Sequence, residues 1–246
     1  MSTLIKPTDF KLDASTVKHS TSLLFGTPVW ISRLKASDAT AINSNLENLI
    51  NKEFSSDPKG IQSSNKQGTW HSRVTLHEDQ AFIDAFLPLL KNVLVKTAFQ
   101  TGIEKGWSIE LEEMWAMINV AGSRTSQHIH SPSHISGSYY VKVPKNSGNL
   151  IIREPRTQVR MSPWPVEKNT EKIGQYLTRT TLNLEPEEGT FVMFPSWLEH
   201  EVSVNKVLEE DSKRMCLTFN ASFVYTGATV LHAAPFNSYE RSRLEY

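Results

Sequence analysis

Apolar residues fall into two textures along the chain, and the texture changes near residue 105. Before it, they recur at helical spacing. Ile42, Leu46, Leu49 and Ile50 follow the i, i+4, i+7, i+8 pattern, which predicts a helix with one face for a core. Ser37 or Asp38 stands ahead of it as an N-cap. Thr75-Leu76-His77-Glu78 has the capping-box form T-x-x-E, and Phe82, Phe86, Leu89, Leu90 and Val93 predict a second helix behind it. Pro88 falls inside that pattern and predicts a kink or a break into two pieces. Ser22–Leu34 is apolar and β-branched around Gly26 and Pro28, and reads as one or two short strands. Asp57–Gln67 reads as a polar loop, and residues 1–20 as a polar arm.

From Trp107 onward the runs are short and strand-like: Trp107–Val120, Gln127–Ser131, Ile135–Val143, Asn149–Arg153, Thr181–Leu184, Thr190–Phe194, His200–Val204 and Arg214–Val224. Glu112-Glu113 interrupts the alternation and marks a bulge; Gly122-Ser123 marks a turn. Many short strands punctuated by Pro and Gly predict a sandwich or barrel, mainly β with flanking helices. Pro155–Thr180 is a polar insertion, either a lid over a site or a mobile loop. The expected organisation is a single domain over 1–246. A strand and helical layer covers about 20–102, the β core about 107–225, and a tail 226–246 that folds back or bridges subunits of a homodimer.

Composition narrows the partners. The chain has 246 residues, 39% of them hydrophobic, enough for one core. Twenty-six basic residues balance 26 acidic ones with no basic block, so nucleic acid and anionic membranes are not the expected partners. Cys216 stands alone and cannot form an internal disulfide, which fits a reducing compartment. The start MSTLIKPTDF lacks a signal-peptide pattern, and no apolar run reaches the roughly 18 residues of a membrane helix. The expectation is a cytoplasmic protein.

Candidate chemistry lies in the second half. His128 and His130 are two apart, so on an extended strand both imidazoles emerge on one face, within reach of one metal ion. A third ligand from a distant strand would complete a facial set. His200, after Phe194-Pro195-Ser196-Trp197-Leu198-Glu199, is the preferred third ligand. His134 competes, but Pro132 separates it from the pair. The plainer alternative is three hydrogen-bonded surface histidines. Arg214 opens the strand R-M-C-L-T-F-N and shares a face with Cys216, Thr218 and Asn220. A guanidinium at the inner end of a barrel strand needs an anion, either a ligand carboxylate or a protein carboxylate such as Glu154 or Glu185. Ser138 and Tyr140 share a face, and the Tyr140 hydroxyl could serve the same carboxylate; simple packing is the alternative.

The run N-V-A-G-x(5)-H-I-H-S-P-S-H-I-S-G-S-Y-Y-V, then E-P-E-E-G-T-F-V-M-F-P-S-W-L-E-H-E-V, then R-M-C-L-T-F-N, resembles the iron(II)/2-oxoglutarate-dependent oxygenases. Within these it is most similar to a bacterial and phage branch with H-x-H and F-P-S-W-x-x-H motifs. The resemblance covers roughly Leu24 to Val224. It implies a double-stranded β-helix, a jelly-roll or cupin-like barrel. It also implies Fe(II) on His128, His130 and His200, and 2-oxoglutarate as cosubstrate with its far carboxylate on Arg214 and Tyr140. Ser138 lines the same face, and Asn119 is a candidate for the metal-proximal carboxylate, although an ordinary strand-end asparagine is the plainer reading. The implied reaction hydroxylates a small-molecule or amino-acid-type substrate with dioxygen, releasing succinate and carbon dioxide. One position departs from the wider family, which has Asp or Glu where this chain has His130. That departure keeps two alternatives open: another three-histidine metalloenzyme, zinc or cupin-type, or a non-catalytic binding module.

Overall fold

The computed structural model describes residues 25–63, 66–161, 164–166, 175–208, 212–227 and 243–245. The expected N-terminal arm, much of the 155–180 insertion and most of the tail lie outside these residues. In chain order the elements are β1 (Trp30–Arg33), α1 (Ala36–Ser56), β2 (Lys66–His71), α2 (Gln80–Thr101), β3 (Trp107–His128), β4 (Ile135–Lys142) and β5 (Leu150–Arg153). Then follow α3 (Thr157–Met161), α4 (Gln175–Thr178), β6 (Thr181–Leu184), β7 (Thr190–Pro195), β8 (His200–Val202), β9 (Arg214–Tyr225) and β10 (Arg243–Glu245).

The strands pair in the order β1-β7-β4-β9-β3-β8-β5-β6. β3 belongs to two walls. Its first part, Trp107–Asn119, pairs β9, and its last part, Thr125–His128, pairs β8. Between them Gly122 takes φ 78° and its N–H donates to the Asn205 carbonyl at 2.8 Å, so the strand turns the corner there. A side chain at that φ would be strained. One wall is therefore β7-β4-β9-β3 and the other β3-β8-β5-β6, all antiparallel. That arrangement is a double-stranded β-helix. The bulge expected at Glu112-Glu113 is present as a register shift between Leu111 and Glu113.

Alternation on β9 separates two cores. Met215, Leu217 and Phe219 face the helices and join Leu46 and Ile50 of α1 and Phe86, Leu90 and Leu94 of α2. Cys216 faces inward, with Trp115, Met117, Tyr140, Phe194 and Leu198. The two tyrosines split likewise: the Tyr139 hydroxyl donates to Asn43 Oδ1 of α1 at 2.7 Å, while Tyr140 points inward. At the crossing of β4, β7 and β9, Gly137 leaves no room for a methyl. A Cβ there would lie 2.6 Å from both Met193 Cγ and Phe219 Cζ. Gly137→Ala is expected to lower stability by about 1–3 kcal/mol, the usual cost of overpacking, read as a lower urea midpoint.

Three helix expectations are corrected. α1 begins at Ala36 with Lys35 as N-cap and no side-chain cap, so Ser37 and Asp38 lie within its first turn. Thr75 caps nothing; it leads into a short 3₁₀ turn, Leu76–Glu78, and the N-cap of α2 is Asp79, which accepts from the Ala81 N–H at 3.0 Å. Pro88 does not divide α2, which is assigned as one helix over Gln80–Thr101. Pro88 and Asp84 are both exposed, so the Asp84 carbonyl that loses its partner is solvated. Among the described residues no helix is long and apolar enough to cross a membrane.

Candidate metal centre

The register of β3 against β8 sets His128 directly opposite His200. Their ring centroids lie 4.3 Å apart. β3 ends at His128, short of the expected Ser131. His130 is therefore off the ladder, held by its N–H donating to the Ser196 carbonyl at 2.9 Å. Its ring still reaches the other two, at 4.8 Å from His128 and 5.1 Å from His200. One nitrogen from each ring lies within 4.8 Å of the others, slightly wider than the roughly 4.2 Å that two bonds of about 2.1 Å span, so the rings draw in by some tenths of an ångström to share one ion.

Two rings are pre-set for a metal. His128 Nδ1 lies 2.8 Å from the Ser126 carbonyl and His200 Nδ1 2.9 Å from that of Leu198. A carbonyl can only accept, so each Nδ1 carries the proton and each Nε2 keeps its lone pair. His130 has no such carbonyl; its Nδ1 lies 3.4 Å from Asn220 Nδ2, which also donates to Glu113 Oε2 at 2.9 Å. Burial pushes all three imidazoles below their usual range, His200 to about 4 and His130 to about 3; neighbouring rings push these two further, and the Lys66 charge pushes His128. They are neutral near pH 7, and neutral imidazole suits iron, zinc, copper or nickel. The donor set fits a divalent metal and adds no negative charge of its own.

Arg214 is 2% exposed at the start of β9. Nη1 donates to the Gly148 carbonyl at 2.9 Å and Nη2 to Asn119 Oδ1 at 3.0 Å, while Nε has no partner. Glu154 is engaged with Arg156 instead. Asn119 Nδ2 donates to Thr69 Oγ1 at 2.8 Å, so both ends of its amide are occupied. Asn119 thus sits behind Arg214, and it does not line the inner cavity. Tyr140, Ser138, Cys216 and Thr218 line that cavity together with the three histidines and Arg214. Ser138 Oγ and Thr218 Oγ1 are 3.1 Å apart. Burial pushes the Tyr140 phenol above its usual value, keeping it a proton donor. His134 lies apart, against Phe223.

Three lining residues were not singled out by the sequence. Lys66 lies in β2, where a polar loop was expected, and only its pairing with Thr125 of β3 brings it to the cavity. Burial pushes its ammonium down to about 8. Thr125 Oγ1 and Trp115 Nε1 also line the cavity and are buried without partners. Among the described residues no Asp or Glu lines it. The cavity is narrow, about 50 Å³. On the other side of His130 a groove of about 640 Å³ opens to solvent, lined by Glu78, Glu112, Glu113 and Ile129 among others.

His71 stacks on Trp115 at 5.4 Å and 9°. Burial first, then the nearby Lys66 charge, pushes its imidazole down to about 4. The unfolded chain, with histidine near 6.5, then binds the extra proton first, so stability is present above pH 6.5 and lost as pH falls toward 4. In metal-free protein His71→Gln should flatten that loss by about 2 kcal/mol between pH 7 and 4.5. Urea midpoints at the two pH values measure it; an unchanged difference between wild type and variant would contradict it.

Residues 113–220 match a family model described as "Putative 2OG-Fe(II) oxygenase". A prolyl-4-hydroxylase of Pseudomonas putida shares the fold at 13% identity over 80% of this chain and 92% of its own, TM-score 0.53. So does the epimerase SnoN in complex with Fe3+, alpha ketoglutarate and nogalamycin RO, at 11% identity over 89% and 90%, TM-score 0.54. HygX of Streptomyces hygroscopicus, with nickel, 2-oxoglutarate and hygromycin B bound, matches at 10% identity over 80% and 83%, TM-score 0.50. At such identities the likeness shows the fold. No curated protein matches the sequence.

Proposed function

We propose, on the premise that residues 113–220 form a 2OG-Fe(II) oxygenase domain, that the chain is a non-haem Fe(II)- and 2-oxoglutarate-dependent dioxygenase. It hydroxylates a small-molecule or amino-acid-type substrate and releases succinate and carbon dioxide. The observation that carries this reading is a three-imidazole cluster and a buried guanidinium on one cavity that, among the described residues, no carboxylate lines.

His128, His130 and His200 hold the metal. Fe(II) with 2-oxoglutarate, when bound, supplies dioxygen activation driven by the cosubstrate's oxidative decarboxylation. The chain's own part is placement and shielding. Arg214 receives the far carboxylate through its unpartnered Nε, held in place by Gly148 and Asn119. The Tyr140 phenol donates to the same carboxylate, and Ser138 and Thr218 form the polar wall beside it. Asn119 therefore acts through Arg214 as a positioning residue. Seating a five-carbon diacid in so narrow a cavity requires the flexible Lys66 stem to move. Substrate reaches the metal from the groove beside His130. Trp115, Phe194 and Leu198 keep bulk water from the inner side. The lone Cys216, buried and free, agrees with a cytoplasmic setting.

Protein purified without a tag, stripped and reloaded with Fe(II) under anaerobic conditions, should bind one equivalent each of metal and 2-oxoglutarate. Admitting air should then form succinate. The all-nitrogen donor set favours one rival, a zinc or cupin-type three-histidine enzyme without cosubstrate. Metal binding with no 2-oxoglutarate binding would select it. Protein that binds no metal would be a non-catalytic module.

A further inference from the structure

We propose that Lys66 is a second cationic anchor, holding the metal-side carboxylate of the diacid while Arg214 holds the far one. This rests on the oxygenase reading above. β2 is divided by a register shift at Gly68, whose φ is 66°. Thr69–His71 pair the first part of β3, and Lys66 and Gln67 swing onto the last part. Lys66 therefore stands at the seam of the two walls, opposite Thr125 and near His128. Its Nζ lies 5.5 Å from the Trp115 ring centroid, and that ring lies 5.7 Å from the ring of His130. The ammonium is thus at the metal end of the cavity.

Among the described residues no carboxylate lines the cavity to neutralise it, and Cys216, which does line it, is a thiol that burial pushes up and keeps neutral. The carboxylate that acts on it through space, Glu113, is hydrogen-bonded to Asn220 and lines the outer groove. Unmet polar groups belong to residues that line the same cavity. Trp115 Nε1 and Thr125 Oγ1, each on a residue 3% exposed, have no partner, and neither has Arg214 Nε. An indole or guanidinium N–H can only donate, so the missing ligand must accept. One buried and one half-buried cation and three orphaned polar groups around three neutral imidazoles describe a site for a dianion beside a metal.

The charge count also couples the two ligands. Before any metal arrives, Lys66 and Arg214 give the cavity a charge of plus two. A dication alone is repelled, and the diacid relieves that repulsion. Removing the Lys66 charge should therefore move the two affinities in opposite directions, a signature that a merely structural lysine packed on Trp115 would not give.

Calorimetry and visible absorption with Co(II) as the metal probe test this in the full chain. The ligands are 2-oxoglutarate and the mono-acid 2-oxobutyrate, which lacks the far carboxylate. In Lys66→Met, both acids should weaken by about tenfold or more, as for loss of a charged hydrogen bond. Co(II) alone should bind no more weakly than in wild type, and tighter by about two- to tenfold. Arg214→Ala should weaken 2-oxoglutarate only, and Lys66→Arg should retain most of its affinity. Lys66→Met that binds 2-oxoglutarate within about twofold of wild type would overturn the proposal. So would loss of Co(II) and both acids together, since an anchoring cation does not support metal binding. Wild-type protein that takes Co(II) but not 2-oxoglutarate would instead overturn the oxygenase reading.

Discussion

Arg214→Ala protein is expected to bind 2-oxoglutarate about 100-fold more weakly than wild type, the effect of removing a buried charged partner of about 2.7 kcal/mol. Its affinity for the metal alone should not fall. The split follows from chemistry: Arg214 lines the cavity, but a guanidinium is a donor with no lone pair for a metal. The substitution also leaves the Gly148 carbonyl and Asn119 Oδ1 without their donor, at a cost of about 1–3 kcal/mol each if water does not replace it. Arg214→Lys therefore belongs beside it. A lysine keeps the charge but loses the planar fork, so it should recover part of the affinity and not all. Binding is measured by calorimetry on metal-loaded protein whose melting temperature has been checked. If 2-oxoglutarate affinity is unchanged in Arg214→Ala, the guanidinium has some other purpose and the zinc or cupin-type reading gains.

Much of this site was legible because its parts obey local rules. Strand alternation put Arg214, Cys216, Thr218 and Asn220 on one face, and the structure has Met215, Leu217 and Phe219 on the opposite one. The order of the H-x-H, F-P-S-W-x-x-H and R-M-C segments was readable because they mark strand ends. Lys66 was not legible. Its neighbours form a polar loop by composition, and only the long-range pairing with Thr125 gives it a role. The environment of His130 was half legible. Its ring was expected beside that of His128 because both shared a strand; the ring is there, but a backbone bond to Ser196 places it. Asn119 was a candidate for the metal-proximal carboxylate, with a strand-end asparagine as the plainer reading; its register partner on β9 is Arg214. The helix caps failed for a related reason. Thr75-x-x-Glu78 satisfies the capping-box pattern, yet the Val74 carbonyl and Thr75 are tied to Met114 of β3, and helix growth waits until Asp79. Tertiary pairing won over the local signal in each case.

His200→Ala is expected to abolish metal binding at micromolar concentrations, with an affinity loss of roughly 1,000-fold, beyond the 10–100-fold that loss of an outer-shell partner costs. Three features make His200 the most consequential of the three ligands. It is 5% exposed, its Nδ1 is fixed by Leu198, and Phe194 packs on its ring at 4.6 Å. Of the two imidazoles its removal leaves in the cluster, His128 has its tautomer set by a carbonyl and His130 faces the amide of Asn220. Two neutral nitrogens do not hold an ion against two nearby cations. Emptying so buried a ring's place should also lower fold stability, by about 2–4 kcal/mol, so the melting temperature is checked beside the titration. The informative companion is His130→Asp. It restores a carboxylate to the donor set, so the metal alone should bind more tightly, while 2-oxoglutarate, no longer the main source of negative charge, should gain less from the metal's presence. Metal titrations with and without 2-oxoglutarate read both variants. A His200→Ala protein that still takes up one equivalent of metal at wild-type affinity would place the metal elsewhere and remove the basis for an oxygenase.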